Sequence, residues 1–236
     1  SGWQVGVIRG TGPEIVSVDN SGAPAELIGL DGWSEEPRNI ASSGEPQTSS
    51  DGQTVVFVSN VPELDDRHSE SMSNDGLSSE VFVRDLVEER TVRFSVGLDG
   101  GNWQALDVRG GGTYDRVVSR APSVSGDGRF VVWTQIGIDD YPFSQTFLGV
   151  WMHDRDSDAN GIFDEDSVGG EPRVSTVPIR FGYPGTGVLN SGPPTISADG
   201  STISVVANPD EGVPEVRIMD RSTGELTRRA DLSEGS

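Results

Sequence analysis

Residues 154–165 read DRDSDANGIFDE, and their acidic side chains are spaced as cation ligands would be. With Asp156 as position 1, Asp158 falls at 3, Asn160 at 5, Gly161 at 6, the Ile162 carbonyl at 7 and Asp164 at 9. Alternate residues on a curled backbone send their oxygens to one centre. Glycine at position 6 permits the sharp turn, and a hard divalent ion such as Ca²⁺ fills an all-oxygen cage of this kind. The twelfth position is Ser167 instead of a bidentate Glu, so Glu165 or Asp166 takes that role if the loop closes earlier. Counting from Asp154 instead brings Glu165 to position 12 but puts Ala159 where the glycine is needed. The Asp156 register is therefore preferred, with Asp156, Asp158, Asn160, Ile162, Asp164 and Glu165 as the expected calcium ligands. The alternative is a solvated acidic loop without an ion. A second acidic stretch carries Asp65, Asp66, Glu70, Asn74 and Asp75 without clean alternation. It reads as a polar surface loop, and a second ion there stays open.

Other chemistry finds little support. The chain has no cysteine, so thiol catalysis and disulfides are excluded. Its two histidines, His68 and His153, are too few for a histidine-built metal centre. No G-x-S-x-G nucleophile elbow is present. Acidic residues are so abundant that no carboxylate pair stands out for glycosidase work. The expectation is a protein without catalysis. All 17 basic residues are arginine, against 38 acidic ones, giving a net charge of −21. That charge opposes nucleic-acid phosphates and anionic membrane surfaces. No apolar run approaches the ~18 residues of a membrane helix.

The elements that must hold the acidic loop repeat along the chain. SSDGQTVVFVS from Ser49, SGDGRFVVWTQ from Ser125 and SADGSTISVVA from Ser197 share a Ser-x-Asp-Gly turn and an apolar run. Such β-branched runs read as strands, and Asp-Gly reads as a tight turn. A second strand follows in each: EVFVRDL at Glu80–Leu86, GVWMHDR at Gly149–Arg155 and EVRIMDR at Glu215–Arg221. Asp85, Asp154 and Asp220 end these strands and are expected to cap turns or to bond loop backbone between blades. A third element reads RTVRFSV, EPRVSTV and ELTRRADL. The opening VGVIRG and EIVSVDNSG match the second and third elements. The acidic loop is thus an insertion between two strands of one repeat. Trp133 and Trp151 fall in strands and are expected in the core. Trp33 and Trp103 fall in glycine-rich connections and are expected to pack between repeats or to form stacking platforms.

Short strands in repeated groups of this length imply four-stranded antiparallel blades and almost no helix. The segments Ser49–Ser59, Glu80–Val96, Pro122–Trp133, Val150–Arg155, Pro172–Val177, Pro194–Val206 and Val216–Arg228 resemble the TolB-type β-propeller repeats of exported bacterial proteins, here with an EF-hand-like loop inserted. The resemblance implies an all-β propeller, or an arc of one, of about four blades. The expected division is a partial unit at 1–48 and repeats at 49–124, 125–196 and 197–236, the last unit ending after its third strand. Whether the chain is a fragment of a longer one stays open. The resemblance implies little about function. The repeat architecture, the acidic loop and the missing catalytic constellation together lead to the expectation of a secreted or cell-surface bacterial protein, a non-catalytic, calcium-stabilised binding or structural module with protein or glycan partners or self-assembly. A propeller hydrolase, the propeller of a larger peptidase and a subunit of a surface filament are the alternatives.

Overall fold

The computed structural model describes residues 4–9, 12–24, 43–61, 64–65, 79–95, 116–140, 143–164, 167–168, 171–172, 176–179, 192–207 and 215–231. These residues are all-β. A hairpin of β1 (Gly6–Arg9) and β2 (Gly12–Ile15) comes first. Three four-stranded antiparallel sheets come after it. The first orders β3 (Ser43–Thr48), β4 (Thr54–Ser59), β5 (Glu80–Asp85) and β6 (Arg90–Arg93). The second orders β7 (Arg116–Val124), β8 (Phe130–Asp140) and β9 (Phe143–Asp154), with a short hairpin of β10 (Ser167–Val168) and β11 (Glu171–Pro172) placed ahead of its outer strand, β12 (Thr176–Ile179). The third orders β13 (Thr195–Ile196), β14 (Thr202–Ala207), β15 (Glu215–Asp220) and β16 (Leu226–Asp231).

Each Ser-x-Asp-Gly turn joins the first and second strands of a sheet, so the strand before the turn pairs with the strand after it. The sheets are therefore offset from repeats counted from the turn, and the last sheet has its full four strands. In the second sheet the outer strand begins at Thr176, opposite His153, four residues later than Pro172, because the β10–β11 hairpin takes up the chain in between.

The three turns are built identically. The serine hydroxyl donates to the aspartate at 2.5–2.6 Å in Ser49–Asp51, Ser125–Asp127 and Ser197–Asp199. The same serine oxygen accepts the N–H of Thr54, Phe130 or Thr202 at 2.9–3.0 Å. The aspartate accepts the N–H two residues on, from Gln53, Arg129 or Ser201. Gly52, Gly128 and Gly200 sit at φ 69°, 76° and 67°, the left-handed region that disfavours a side chain.

The turns also bond to one another across sheets. The Ser50 N–H donates to the Gly126 carbonyl at 3.0 Å, and the Gly126 N–H donates to the Ala198 carbonyl at 2.7 Å. A second rung links the first strands of the first and second sheets, where Ala121 of β7 donates its N–H to the Glu45 carboxylate of β3 at 2.6 Å. Glu45 and Ala121 occupy matching bulge positions with φ 52° and 51°.

Strand parity sets the core. Odd and even positions of each strand face opposite neighbours. Val55, Phe57 and Phe82 of the first sheet pack back onto Val5 and Val16 beside the hairpin. Val56, Val58, Val81 and Val83 pack forward onto Val131, Trp133 and Trp151 of the second. Val132 and Val150 pack onward to Ile203, Val205 and Met219 of the third. The continuous apolar run TVVFVS is thereby explained, since all six residues of β4 are buried from both sides. Trp133 and Trp151 are core residues, as expected.

A Cβ on Gly126 would lie 2.7 Å from the Ala198 carbonyl and 2.9 Å from Ser50 Oγ, where two sheets meet. Gly126→Ala should cost about 1–3 kcal/mol in chemical denaturation, as overpacking does. The comparison is Gly52→Ala, which meets nothing within 4 Å and carries only the cost of positive φ, roughly 1 kcal/mol.

Candidate functional site

The loop after β9 curls as its spacing requires. Asp156 is buried and forms its hub, accepting the Asn160 N–H on Oδ1 at 2.9 Å and the Gly161 N–H on Oδ2 at 3.1 Å. Asp158 accepts both the backbone and side-chain N–H groups of Asn160, and Asn160 Oδ1 accepts the Ile162 N–H at 2.8 Å. Gly161 takes φ 85°, the sharp turn assigned to it. The Asp164 N–H closes the loop onto the Arg155 carbonyl at 2.8 Å.

The carboxylates meet guanidinium groups. Arg155, with its side chain fully buried, donates from Nε and Nη2 to Asp164 at 2.6–3.1 Å. The same guanidinium donates to Asp85 Oδ2 at 3.2 Å, to Thr54 Oγ1 at 3.1 Å and to the Gly128 carbonyl at 3.0 Å. Phe163 covers it, its ring centroid 4.8 Å from the guanidinium carbon. Arg129 holds the other end of the loop. It pairs both oxygens of Asp154 at 2.7 and 2.9 Å, donates to the Asp156 carbonyl at 2.6 Å and lies 3.6 Å from Asp156 Oδ2. The hydrogen bond to Asp154 raises its pKa further.

The sequence pattern hid Arg129, which stands 25 residues before Asp154. Its signal was available in the hairpin register: Phe130 pairs with Asp154, so the residue before Phe130 must end beside the loop. The repeat also explains Arg155. The residue after each strand-end Asp donates its N–H back to the segment following the turn: Leu86 to Gln53, Arg155 to Arg129, Arg221 to Ser201. From that place Arg155 reaches Thr54 in the preceding sheet, and Arg221 lies 3.8 Å over Phe130, the residue matching Thr54.

Asp85, Asp154 and Asp220 cap the turns after them, as expected, through the N–H groups of Val87 and Glu88, of Asp156, and of Ser222 and Thr223. Partial burial works against the Asp85 carboxylate. The Glu88 and Val87 N–H groups and Arg155 outweigh it and hold its carboxyl below the usual range.

Of the expected calcium ligands, Asp156, Asp158, Asn160, Ile162 and Asp164 share this loop, with Asp158, Asn160 and Ile162 exposed. Glu165 and the alternative Asp166 lie outside the described residues, as do Asp66, Glu70, Asn74, Asp75, His68, Trp33 and Trp103. Asp65 is buried and accepts the Arg93 N–H at 2.9 Å. Among the described residues no three acidic or histidine side chains converge as a ligand set. His153 stacks on Phe94 with ring centroids 4.1 Å apart. Loss of solvent lowers its pKa to about 4. Glu80, buried beside Ser95, Ser119 and Arg93, is raised by burial to about 7.

No protein-family model and no curated protein matches the sequence. The all-β fold of small antiparallel sheets matches β-propeller domains among solved structures. One is the β-propeller domain of the trilobed protease from Pyrococcus furiosus, with TM-score 0.45, 12% identity, and coverage of 83% of this chain and 44% of that one. A second is a TolB-type protein from Agrobacterium tumefaciens, with TM-score 0.40, 13% identity, and coverage of 98% and 68%. A third is TolB from Acinetobacter baumannii, with TM-score 0.25, 16% identity, and coverage of 78% and 42%. The chain spans less than half the length of the first of these.

The two arginines differ in what their loss should do. Arg155→Met strands the Asp164 carboxylate and should cost about 3–5 kcal/mol in a urea titration, as breaking a buried pair does. Arg129→Ala, whose side chain is 24% exposed, should cost about 1 kcal/mol in the same titration.

Two titratable groups, the half-buried His153 and the buried Glu80, set a pH dependence. Folded His153 stays neutral down to about pH 4, so its contribution is lost as pH falls from its unfolded value of 6.5. Folded Glu80 holds its proton up to about pH 7, so its contribution is lost as pH rises from 4.5. The two oppose each other across pH 4.5–6.5. Glu80→Gln should therefore make stability rise with pH in that window more steeply than in the parent. An unchanged profile would show that Glu80 titrates normally.

Proposed function

We propose that the chain is a non-catalytic binding or structural module of an exported or cell-surface bacterial assembly, and that it works through contact between propeller sheets. The supporting observation is the one-sided burial of the last sheet. Val81 and Val83 of β5 are fully buried because the second sheet covers them. Their counterparts in β15, Val216 and Ile218, are only partly buried, although Glu215, Arg217 and Met219 on the other face are buried. Val206, the counterpart of Val58, is exposed. The turn ladder ends in the same place, since the Ala198 N–H has no acceptor among the described residues. A further sheet of the same build, offering the carbonyl of its own Ser-x-Asp-Gly turn, fits there as the second sheet fits the first. In this reading the partner is another protein surface or a second copy, and a glycan is the secondary candidate.

Calcium belongs to the proposal through the loop spacing. Asp156 and Asp164 are engaged by backbone N–H groups and by Arg155, so among the described residues the loop oxygens nearest solvent are those of exposed Asp158 and Asn160. The ion would stiffen the insertion and take no part in chemistry. About 5 mM calcium should then raise the melting temperature by about 2–4 °C, roughly 1 kcal/mol for a chain of this size. No shift after exhaustive chelation and re-addition removes calcium from the reading.

The face itself is tested by charge. Ile218→Asp should cost much less stability than Val81→Asp and should abolish self-association seen by light scattering at high concentration. A parent chain that stays monomeric throughout, with Ile218→Asp as costly as Val81→Asp, would overturn the proposal.

A further inference from the structure

A cavity of about 500 Å³ opens between the first sheet and the acidic insertion. Two segments frame it, the turn after β5 and the tip of the insertion, and each contributes an exposed apolar side chain. Val87 is 62% exposed and Ile162 is 58% exposed. These are two of the few large apolar side chains left in solvent among the described residues, and both line this one cavity. A volume of this size matches small-ligand and side-chain pockets, roughly 300–1,000 Å³.

Its polar lining is unbalanced. Asp51, Asp85, Glu88, Asp127 and Asp164 bring five carboxylates, while Arg90 and Arg155 bring two guanidiniums, a formal charge of −3. Arg155 forms part of the lining but is committed to Asp164, Asp85, Thr54 and Gly128. It fixes the cavity's shape and leaves the negative excess at the mouth. Asp51 and Asp127 each use Oδ1 within their own turns. A spherical cation is poorly served here, because no three acidic side chains converge among the described residues. An elongated cation suits the site better: its charged head meets the carboxylates and its apolar stem lies along Val87 and Ile162.

We propose that this cavity is a docking site for a basic segment of a partner protein, one that inserts an arginine or lysine side chain flanked by apolar residues. Charge complementarity commits the site to that occupant. A second copy of this chain, with net charge −21, is a poor source of such a segment. The site is separate from the far face of the last sheet, so it stands or falls independently of that contact.

The test uses the whole chain and a blocked, dye-labelled peptide with one arginine between two leucines. Binding is followed by fluorescence anisotropy and by backbone amide shifts in NMR. The expected result is a dissociation constant of about 10–100 µM that weakens with added salt, with shifts at Val87, Glu88, Gly161 and Ile162. Glu88→Lys and Ile162→Ser, both at exposed positions, should each weaken binding about tenfold with unchanged melting temperature. Val87→Ser serves in place of either variant that fails to fold. Equal binding of a peptide with citrulline for arginine, unchanged affinity in the variants, or no binding up to millimolar peptide would overturn the proposal. Tighter binding of spermidine than of the peptide would overturn it too, by assigning the cavity to a free amine.

Discussion

The contact between one Ser-x-Asp-Gly turn and the next is the constraint on which the rest of the molecule depends. It requires a backbone N–H and carbonyl at the second position of each turn, and room for a neighbouring turn to approach. At Gly126 that room disappears entirely, since any side chain would enter the Ala198 carbonyl. The glycines that end the second and third turns are held in the same way. A Cβ on Gly128 would strike Thr54 Oγ1, and one on Gly200 would strike Phe130 at 2.6 Å. The turn motif thus serves two purposes. Ser and Asp fold the turn locally, and Gly lets the next sheet close on it. Once the turns are in line, strand parity decides everything behind them: which valines face back, which face forward, and how many sheets share a core.

Much of this was legible in the sequence because it is local. A serine, an aspartate and a glycine within four residues specify their own hydrogen bonds, and a strand-end aspartate caps the turn directly after it. The alternation of apolar residues and the placing of Trp133 and Trp151 in the core come from the same short-range logic. Sheet boundaries were less legible. The strands before the turns, such as SGEPQT and the two-residue β13, carry proline or lack a long apolar run, so they do not announce themselves as strands. Only the pairing across the turn reveals that they belong with the strands after it.

The acidic loop shows the limit more sharply. Spacing correctly indicates a curled backbone with Gly161 at the turn, because that too is local. It does not indicate where the opposing charge comes from. Arg129 arrives across a hairpin, and Arg155 points away from the loop's centre into the neighbouring sheet. Neither direction is written in a twelve-residue window. Asp85 lies 70 residues before Arg155 and meets it only because adjacent sheets place matching strand ends side by side.

The electrostatic order at this junction can be read from the arginine outward. A guanidinium removed from water needs several acceptors at once, and its planar fork can serve them from separate nitrogens. Arg155 does so, giving Nε to Asp164, Nη1 to Thr54 and Gly128, and Nη2 to Asp85 and Asp164. A lysine ammonium, with one nitrogen, could not span that set. Asp85 and Asp164 are thereby accounted for as counter-charges to a buried cation that joins two sheets, and Asp154 and Asp156 are accounted for by Arg129 and by the loop's own backbone. The outer layer faces solvent: Asp158 and Asn160 at the loop tip, and the carboxylates at the cavity mouth beside Val87 and Ile162. The inner acids belong to folding, so the proposed recognition of a cation, metal or peptide would rest on the outer ones.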